Sequence, residues 1–266
     1  MALLFNCMRI VITDLDGTLL DQASYSFQPA RPALEELKRR GVPLIFCTSK
    51  TRAETERWQN VLDTRHPTIV ENGGLICIPD AYFGAETASK IAFGAHYADL
   101  TAALREASRV SCCRVRGFAD MSVAEVAAEC GLSLADAALA KKREHDEPFL
   151  ILDPQRSEDL FQAIHGLGYR CTRGGRFFHI IGDNDKAHAV RRLVSLFALE
   201  YGQINSLGLG DGLNDAEFLN AVDHAVLIRS AQLSDLQKLV PNGVATRSEG
   251  PEGWNEAVLD WLQMVI

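Results

Sequence analysis

The stretch Ile10-Val11-Ile12-Thr13-Asp14-Leu15-Asp16-Gly17-Thr18-Leu19-Leu20 decides how this chain folds. Its β-branched opening suits a strand buried on both faces, as in a parallel sheet. Asp, Asp and Gly are poor strand formers, so the strand should stop at about Asp14. Carboxylates just past the C-terminal end of a buried strand sit where open α/β sheets bind ligands. The close acidic pair also suits a cation such as Mg²⁺, which prefers carboxylate oxygen and keeps several waters. A solvated turn accounts well for one Asp-Gly, and poorly for two acids behind an apolar strand.

These residues resemble the first signature of the haloacid dehalogenase superfamily, mostly Mg²⁺-dependent phosphotransferases. The resemblance implies that Asp14 is a nucleophile forming an aspartyl-phosphate, with Asp16 as general acid and then base. Such chemistry is sensible on its own terms. A carboxylate nucleophile splits one hard displacement into two, and a neighbouring acid protonates the departing alkoxide.

Working outward, Pro29 to Arg40 has helical spacing and stops at Gly41, a plausible C-cap. Val42 to Cys47 is a second buried-strand run, which ends in Thr48-Ser49-Lys50-Thr51-Arg52, and Ala53 to Leu62 reads as a helix. Strand, helix, strand, helix at these lengths predicts right-handed βαβ units and a parallel sheet. Thr48 then shares a sheet edge with Asp14, where its hydroxyl could hold a phosphate oxygen while Lys50 and Arg52 supply charge. Helix capping plus a solvated first turn is the plainer reading of Thr48 to Arg52 taken alone. Thr68 to Val70 and Leu75 to Ile78 are short strands around Glu71-Asn72-Gly73-Gly74, a hairpin signal.

From about Asp80 the pattern loosens, and residues 84–182 change character. Helical stretches at Tyr97 to Arg109, Val123 to Cys130, Ser133 to Lys142 and Glu158 to Leu167 alternate with strands at Val115 to Phe118 and Phe149 to Leu152. A final pair, Tyr169 to Thr172 and Phe177 to Ile181, flanks the tight turn Arg173-Gly174-Gly175-Arg176. That is an α+β insert, read as a second domain within a core formed by residues 1–83 and 183–266.

The core pattern resumes at Asp183-Asn184-Asp185-Lys186, which opens a helix running to about Tyr201. A lysine in a first turn opposes the helix macrodipole, so Lys186 is slightly odd as a purely structural residue. Ser206 to Leu209 is a strand, followed by the acidic loop Gly210-Asp211-Gly212-Leu213-Asn214-Asp215. The glycines of this run lack the dinucleotide spacing, and two acids stand where a pyrophosphate would sit. A cation suits such a loop better. Ala216 to Ala221, Ala225 to Ile228, Gln232 to Leu239 and Trp254 to Gln263 complete the alternation.

Bulk composition narrows the class. At 266 residues, with 47% apolar and 23% charged, the chain reads as globular. Lys plus Arg against Asp plus Glu gives 27 − 35 = −8, which argues against a nucleic-acid partner. An anionic substrate therefore needs local cations set against a negative whole. Seven scattered cysteines form no zinc-like set and read as reduced core thiols. Met1 to Met8 lacks a basic start or cleavage-like site, and no run of about 18 apolar residues exists to span a membrane. A cytoplasmic location is expected.

Taken in order, Asp14/Asp16, Thr48, Lys186 and Asp211/Asp215 repeat the four signatures of the superfamily. The resemblance implies that Asp14, Asp211 and the backbone carbonyl of Asp16 hold Mg²⁺, with Asp215 direct or through water. It also implies that Thr48 and Lys186 bind the phosphoryl group. An insert between the second and third signatures is where the superfamily's larger, C2-type caps occur.

Several segments sharpen the match: Thr48-Ser49-Lys50-Thr51-Arg52, Glu71-Asn72-Gly73-Gly74, Glu147-Pro148-Phe149, Arg173-Gly174-Gly175-Arg176-Phe177-Phe178-His179 and Gly250-Pro251-Glu252-Gly253-Trp254. With these the chain resembles the mannosyl-3-phosphoglycerate phosphatase family. That implies a Mg²⁺-dependent phosphatase acting on a phosphorylated glycosyl-glycerate, mannosyl or glucosyl. Ser49, Lys50, Arg52, Glu147, Arg173, Arg176 and His179 would then touch the substrate. A guanidinium grips a carboxylate through two parallel hydrogen bonds, so Arg176 or Arg173 is expected to read the glycerate. A basic turn and a satisfied core histidine are the plainer alternatives. A broad-specificity sugar phosphatase or a phosphohexomutase shares the same core signatures.

Overall fold

A computed structural model describes residues 7–84 and 87–264. Residues 1–6 of the opening segment, and 85 and 86 of the loosened stretch, lie outside the described residues. Strand β1 (Met8–Thr13) ends one residue before Asp14, where the β-branched run gives way to acids and glycine. The chain continues through α1 (Arg31–Arg40), β2 (Leu44–Cys47), α2 (Arg52–Leu62) and β3 (Thr68–Val70). Gly41 closes α1 in the left-handed conformation at φ 65°. Thr51 and Glu54 form a reciprocal capping box that opens α2.

β3 folds back into β4 (Leu75–Cys77), and β4 pairs antiparallel with β5 (Lys90–Ala92). A smaller sheet follows. Its elements are α3 (Tyr97–Ser111), β6 (Val115–Gly117), α4 (Val123–Cys130), α5 (Leu134–Ala140), β7 (Asp146–Ile151), α6 (Ser157–Gly166), β8 (Arg170–Arg173) and β9 (Phe178–Ile181). The strands lie in the antiparallel order β6-β7-β9-β8. The chain then returns through α7 (Lys186–Tyr201), β10 (Ile204–Gly210), α8 (Ala216–Leu219), β11 (His224–Arg229), α9 (Leu233–Leu239), β12 (Val244–Glu249) and α10 (Gly250–Gln263).

The larger sheet has eight strands in the order β12-β11-β10-β1-β2-β3-β4-β5, parallel from β12 to β3. Its winding runs outward from β1 in both directions, which makes the ends of β10, β1 and β2 the topological switch point. One face buries Ile10, Ile12 and Ile45 against Val190, Leu193 and Phe197 of α7. The opposite face buries Val11, Leu44 and Phe46 against Leu37 of α1 and Trp254 and Val258 of α10. Each such side chain contributes about 1.5–3 kcal/mol on leaving water. The fold is thus an α/β parallel-sheet core carrying an inserted α+β sheet.

The inserted sheet also has two unlike faces. Phe149 and Ile180 pack with Leu104, Leu160 and Ile164 beneath α3 and α6. Phe118 and Phe177 pack instead with Val126 and Ala137 of α4 and α5. Local differences from the sequence reading have physical causes. β7 starts at Asp146 rather than Phe149, because Asp146 is paired with Arg143 inside the protein and Glu147 is hydrogen-bonded by Tyr97 and Ala119. α10 starts a turn before Trp254, since Pro251 suits a first helical turn. β5 and β12 are short or polar edge strands that periodicity does not flag. The seven thiols are free, but only Cys47 and Cys113 are buried and Cys112 is exposed at the left-handed cap of α3. Among the described residues no helix is long and apolar enough to cross a membrane.

Candidate active site

Adjacent strands β10, β1 and β2 deliver Asp211, Asp14 and Thr48 to one sheet edge, and the first residue of α7 brings Lys186 beneath them. One carboxylate oxygen each from Asp14, Asp211 and Asp215 lies within 4.8 Å of the others. The Lys186 ammonium, 2% exposed, donates to Asp14 Oδ1 at 3.0 Å and Asp215 Oδ1 at 2.6 Å. Burial alone would depress that lysine, yet Asp14 and Asp215 more than reverse the effect and hold it charged. This answers the macrodipole objection: the two carboxylates outweigh the helix end.

Asp215 is fully engaged. Its Oδ2 accepts the backbone N–H groups of Asp211 and Gly212, at 3.1 and 3.0 Å, while Oδ1 takes Lys186. Asp14 and Asp211 carry the electrostatic strain. Burial raises Asp14 well above the usual carboxylate range, and Asp215 and Asp211 add to it against Lys186. Burial and then Asp215 push Asp211 up to about 7, although Thr18 Oγ1 donates to it at 2.8 Å. An all-oxygen, like-charged set of this kind suits a hard divalent cation, with Asp14 and Asp211 the carboxylates best placed to bind it.

The backbone around Asp14 is pinned from behind. Trp254 Nε1 donates to Thr13 Oγ1 at 3.0 Å, and that hydroxyl donates to the Asp14 carbonyl at 2.7 Å. Gly17 has φ +77°, and a Cβ there would stand 2.6 Å from Asp211 Oδ2. Only glycine fits that corner.

Asp14 and Asp211 open into a cavity of about 450 Å³ between the larger sheet's edge and the inserted sheet. Asp16, Ser49, Lys50, Arg176 and His179 also line it. Thr48 does not; it is 1% exposed and its Oγ1 accepts the Lys50 N–H at 3.2 Å. The Asp16 side chain stands outside the metal-type trio, with Oδ2 on Lys50 at 2.7 Å and Oδ1 buried without a partner among the described residues.

Other predicted contacts lie elsewhere. Arg52 pairs with Glu144 and Glu56 outside the cavity. Glu147 is buried beneath it, accepting from Ala119 N–H at 2.8 Å and Tyr97 O–H at 2.7 Å. Arg173 sits opposite Phe178 in the β8–β9 register and lies over that ring at 5.2 Å, lining a separate groove on the α6 side. Arg176 reaches the cavity rim, exposed, and bonds the Glu129 carbonyl.

Two residues that sequence reasoning missed complete the floor. Asp146, fully buried, receives Asn72 Nδ2 at 2.7 Å, Arg143 Nη1 at 2.9 Å and His179 Nδ1 at 2.8 Å. Arg143 lines the cavity. An Arg and an Asp three residues apart, just before a strand, were the available signal.

A family model described as haloacid dehalogenase-like hydrolase matches residues 11–238. The chain belongs to the haloacid dehalogenase-like hydrolase family. It is 40% identical to a glucosyl-3-phosphoglycerate/mannosyl-3-phosphoglycerate phosphatase of Methanococcoides burtonii, over 96% of this chain and 97% of that one. A protein of the same name from Persephonella marina is 35% identical, over 94% and 95%. In fold, a crystal structure of a Thermoplasma acidophilum protein matches at TM-score 0.70 with 18% identity, covering 97% of this chain and 100% of that one. For this family member the likeness therefore runs through both sheets rather than the core alone.

Proposed function

We propose that this chain is a Mg²⁺-dependent phosphatase that releases phosphate from glucosyl-3-phosphoglycerate or mannosyl-3-phosphoglycerate. The observation that carries the chemistry is the buried Lys186 ammonium bridging Asp215 and Asp14, of which Asp14 lines the cavity. Full-length similarity to the two phosphatases named above supports the substrate.

In this reading an Asp14 oxygen attacks phosphorus, and the ester P–O bond breaks as Asp16 gives its proton to the leaving glycerate oxygen. Asp16, now a carboxylate, takes a proton from water as that water attacks phosphorus. The Asp14–phosphorus bond breaks, leaving inorganic phosphate and free Asp14. Lys186 neutralises Asp14 and a phosphoryl oxygen together, and Thr48 orders the turn beside them. Asp14 and Asp211, with the Asp16 carbonyl, hold Mg²⁺. When bound, Mg²⁺ supplies the positive charge that screens the carboxylate nucleophile from the phosphate. The inserted sheet, approximately residues 84–182, covers the site and chooses the substrate.

A phosphate-release screen over glycosyl-phosphoglycerates and simple sugar phosphates tests this. Preference for the glycosyl-phosphoglycerates is expected. Equal rates across sugar phosphates would indicate a broad-specificity enzyme, and isomerisation without phosphate release a mutase.

A further inference from the structure

The proposed substrate carries two anions, a phosphate and a glycerate carboxylate, and the cavity is crowded with acids of its own. Lys186 is committed to Asp14 and Asp215, and Lys50 to Asp16 and Glu54. Arg176 touches Glu129 through Nη1 alone and is otherwise exposed at the rim, and Arg173 faces the other groove. One further cation is both buried and partly unspent. Arg143 is buried, its side chain 5% exposed, yet it lines the cavity. Its Nε donates to the Ala140 carbonyl at 3.1 Å, and its Nη1 to the Ser49 carbonyl at 3.1 Å and Asp146 at 2.9 Å. Among the described residues nothing accepts from Nη2, which carries two N–H groups.

The guanidinium is fixed in place. Phe118 lies 5.6 Å from it, and Asp146 anchors it together with His179. Because His179 meets Asp146 through Nδ1, its Nε2 is left at the cavity wall. There a Cβ on Gly174 would come within 3.1 Å of it. A rigid, pre-oriented donor edge is what carboxylate recognition needs.

We infer that Arg143, held by Asp146, binds the substrate's carboxylate through Nη2, with His179 Nε2 beside it for a neighbouring hydroxyl. Arg143 is thereby the specificity-determining cation of the cavity, in place of the two turn arginines. The inference rests on the substrate reading above, and the experiment separates the two.

Steady-state kcat/KM is measured on glucosyl-3-phosphoglycerate and on p-nitrophenyl phosphate, for wild type, Arg143→Lys, Arg143→Gln and Arg173→Ala. The wild-type preference tests the substrate reading, and the change in that preference tests Arg143. Both Arg143 variants should lose about tenfold or more of the ratio between the two substrates, mainly through KM on the carboxylated one. Arg143→Lys keeps a charge against Asp146, so it guards against a folding failure in Arg143→Gln. Arg173→Ala should keep the wild-type ratio. Equal losses on both substrates in both Arg143 variants, or an unchanged ratio, would overturn the inference. A wild type that ignores the glycosyl substrate but hydrolyses p-nitrophenyl phosphate would overturn the substrate reading and the inference with it.

Discussion

Lys50 Nζ stands 2.7 Å from Asp16 Oδ2, and both side chains line the same cavity. Glu54 Oε1 lies 3.8 Å from the same ammonium and the Tyr25 ring 5.2 Å from it. Burial would depress Lys50, but Asp16 and Glu54 more than reverse this and keep it charged. From sequence, Lys50 reads as a substrate contact; in the fold it lines the cavity with its ammonium on Asp16, and we propose that it positions that side chain. Lys50→Met is therefore expected to lower kcat about tenfold or more on any phosphate ester, since Asp16 loses the ammonium that fixes its position. Lys50→Arg should recover part of it. The check is kcat on p-nitrophenyl phosphate, and an unchanged value would detach Lys50 from Asp16.

Asp14→Asn should reduce turnover by about three orders of magnitude or more, because the amide is a very poor nucleophile. The same change removes one of three crowded acids. Thermal melts in EDTA should accordingly show no loss of stability and a rise in midpoint, the usual trade between function and stability. Retention of a tenth of wild-type kcat would end covalent catalysis through Asp14.

Chelation by EDTA should abolish phosphate release, and added Mg²⁺ should restore it. Carboxylates must shed protons before they bind a cation. With Asp211 pushed up to about 7 by burial and by Asp215, more Mg²⁺ is needed for half-maximal rate as pH falls below 7. Titrating Mg²⁺ at pH 6, 7 and 8 measures this directly. A requirement independent of pH would refute Asp211 as a ligand.

Burial also raises Glu147 from the usual 4.5 to about 7, against the hydrogen bonds from Ala119 and Tyr97. Between those values the native state binds more protons than the unfolded chain, so this group's contribution to stability falls as pH rises, and is flat above 7. Glu147→Gln lacks that slope. The melting temperature of the variant minus that of wild type should therefore climb from pH 5 to pH 7. A difference that fell instead would mean that the fold prefers ionised Glu147.

The core positions were legible because each sits where a strand's apolar run breaks into polar residues. Asp14, Thr48 and Asp211 announce themselves this way, and Lys186 by defying its helix dipole. Arg143 and Asp146 were not, since an acidic start to β7 looks like a turn until Arg143 pairs with Asp146 and Asn72, from the turn between β3 and β4, donates to it. Facing was hidden for a related reason. Whether Arg173 or His179 meets the cavity depends on the β8–β9 register, Thr172 opposite His179 and Arg173 opposite Phe178. Glu71 and Asn72, readable only as turn residues, are buried at positive φ. Glu71 accepts the N–H groups of Glu144 and His145, so the turn also anchors the entry to β7.

The pairing of β1 with β10 has a consequence in time. Ile10 lies against Ser206 and Thr13 against Leu209, so the strand that leads to Asp14 gains that neighbour only after the insert and α7 exist. Contacts this distant in sequence are slow to close. During synthesis Asp14 emerges before the insert, while Lys186, Asp211 and Asp215 arrive after it. A nascent chain thus carries the Asp14 carboxylate without its Lys186 partner, and the acidic cluster assembles only once β10 and the loop after it have been made.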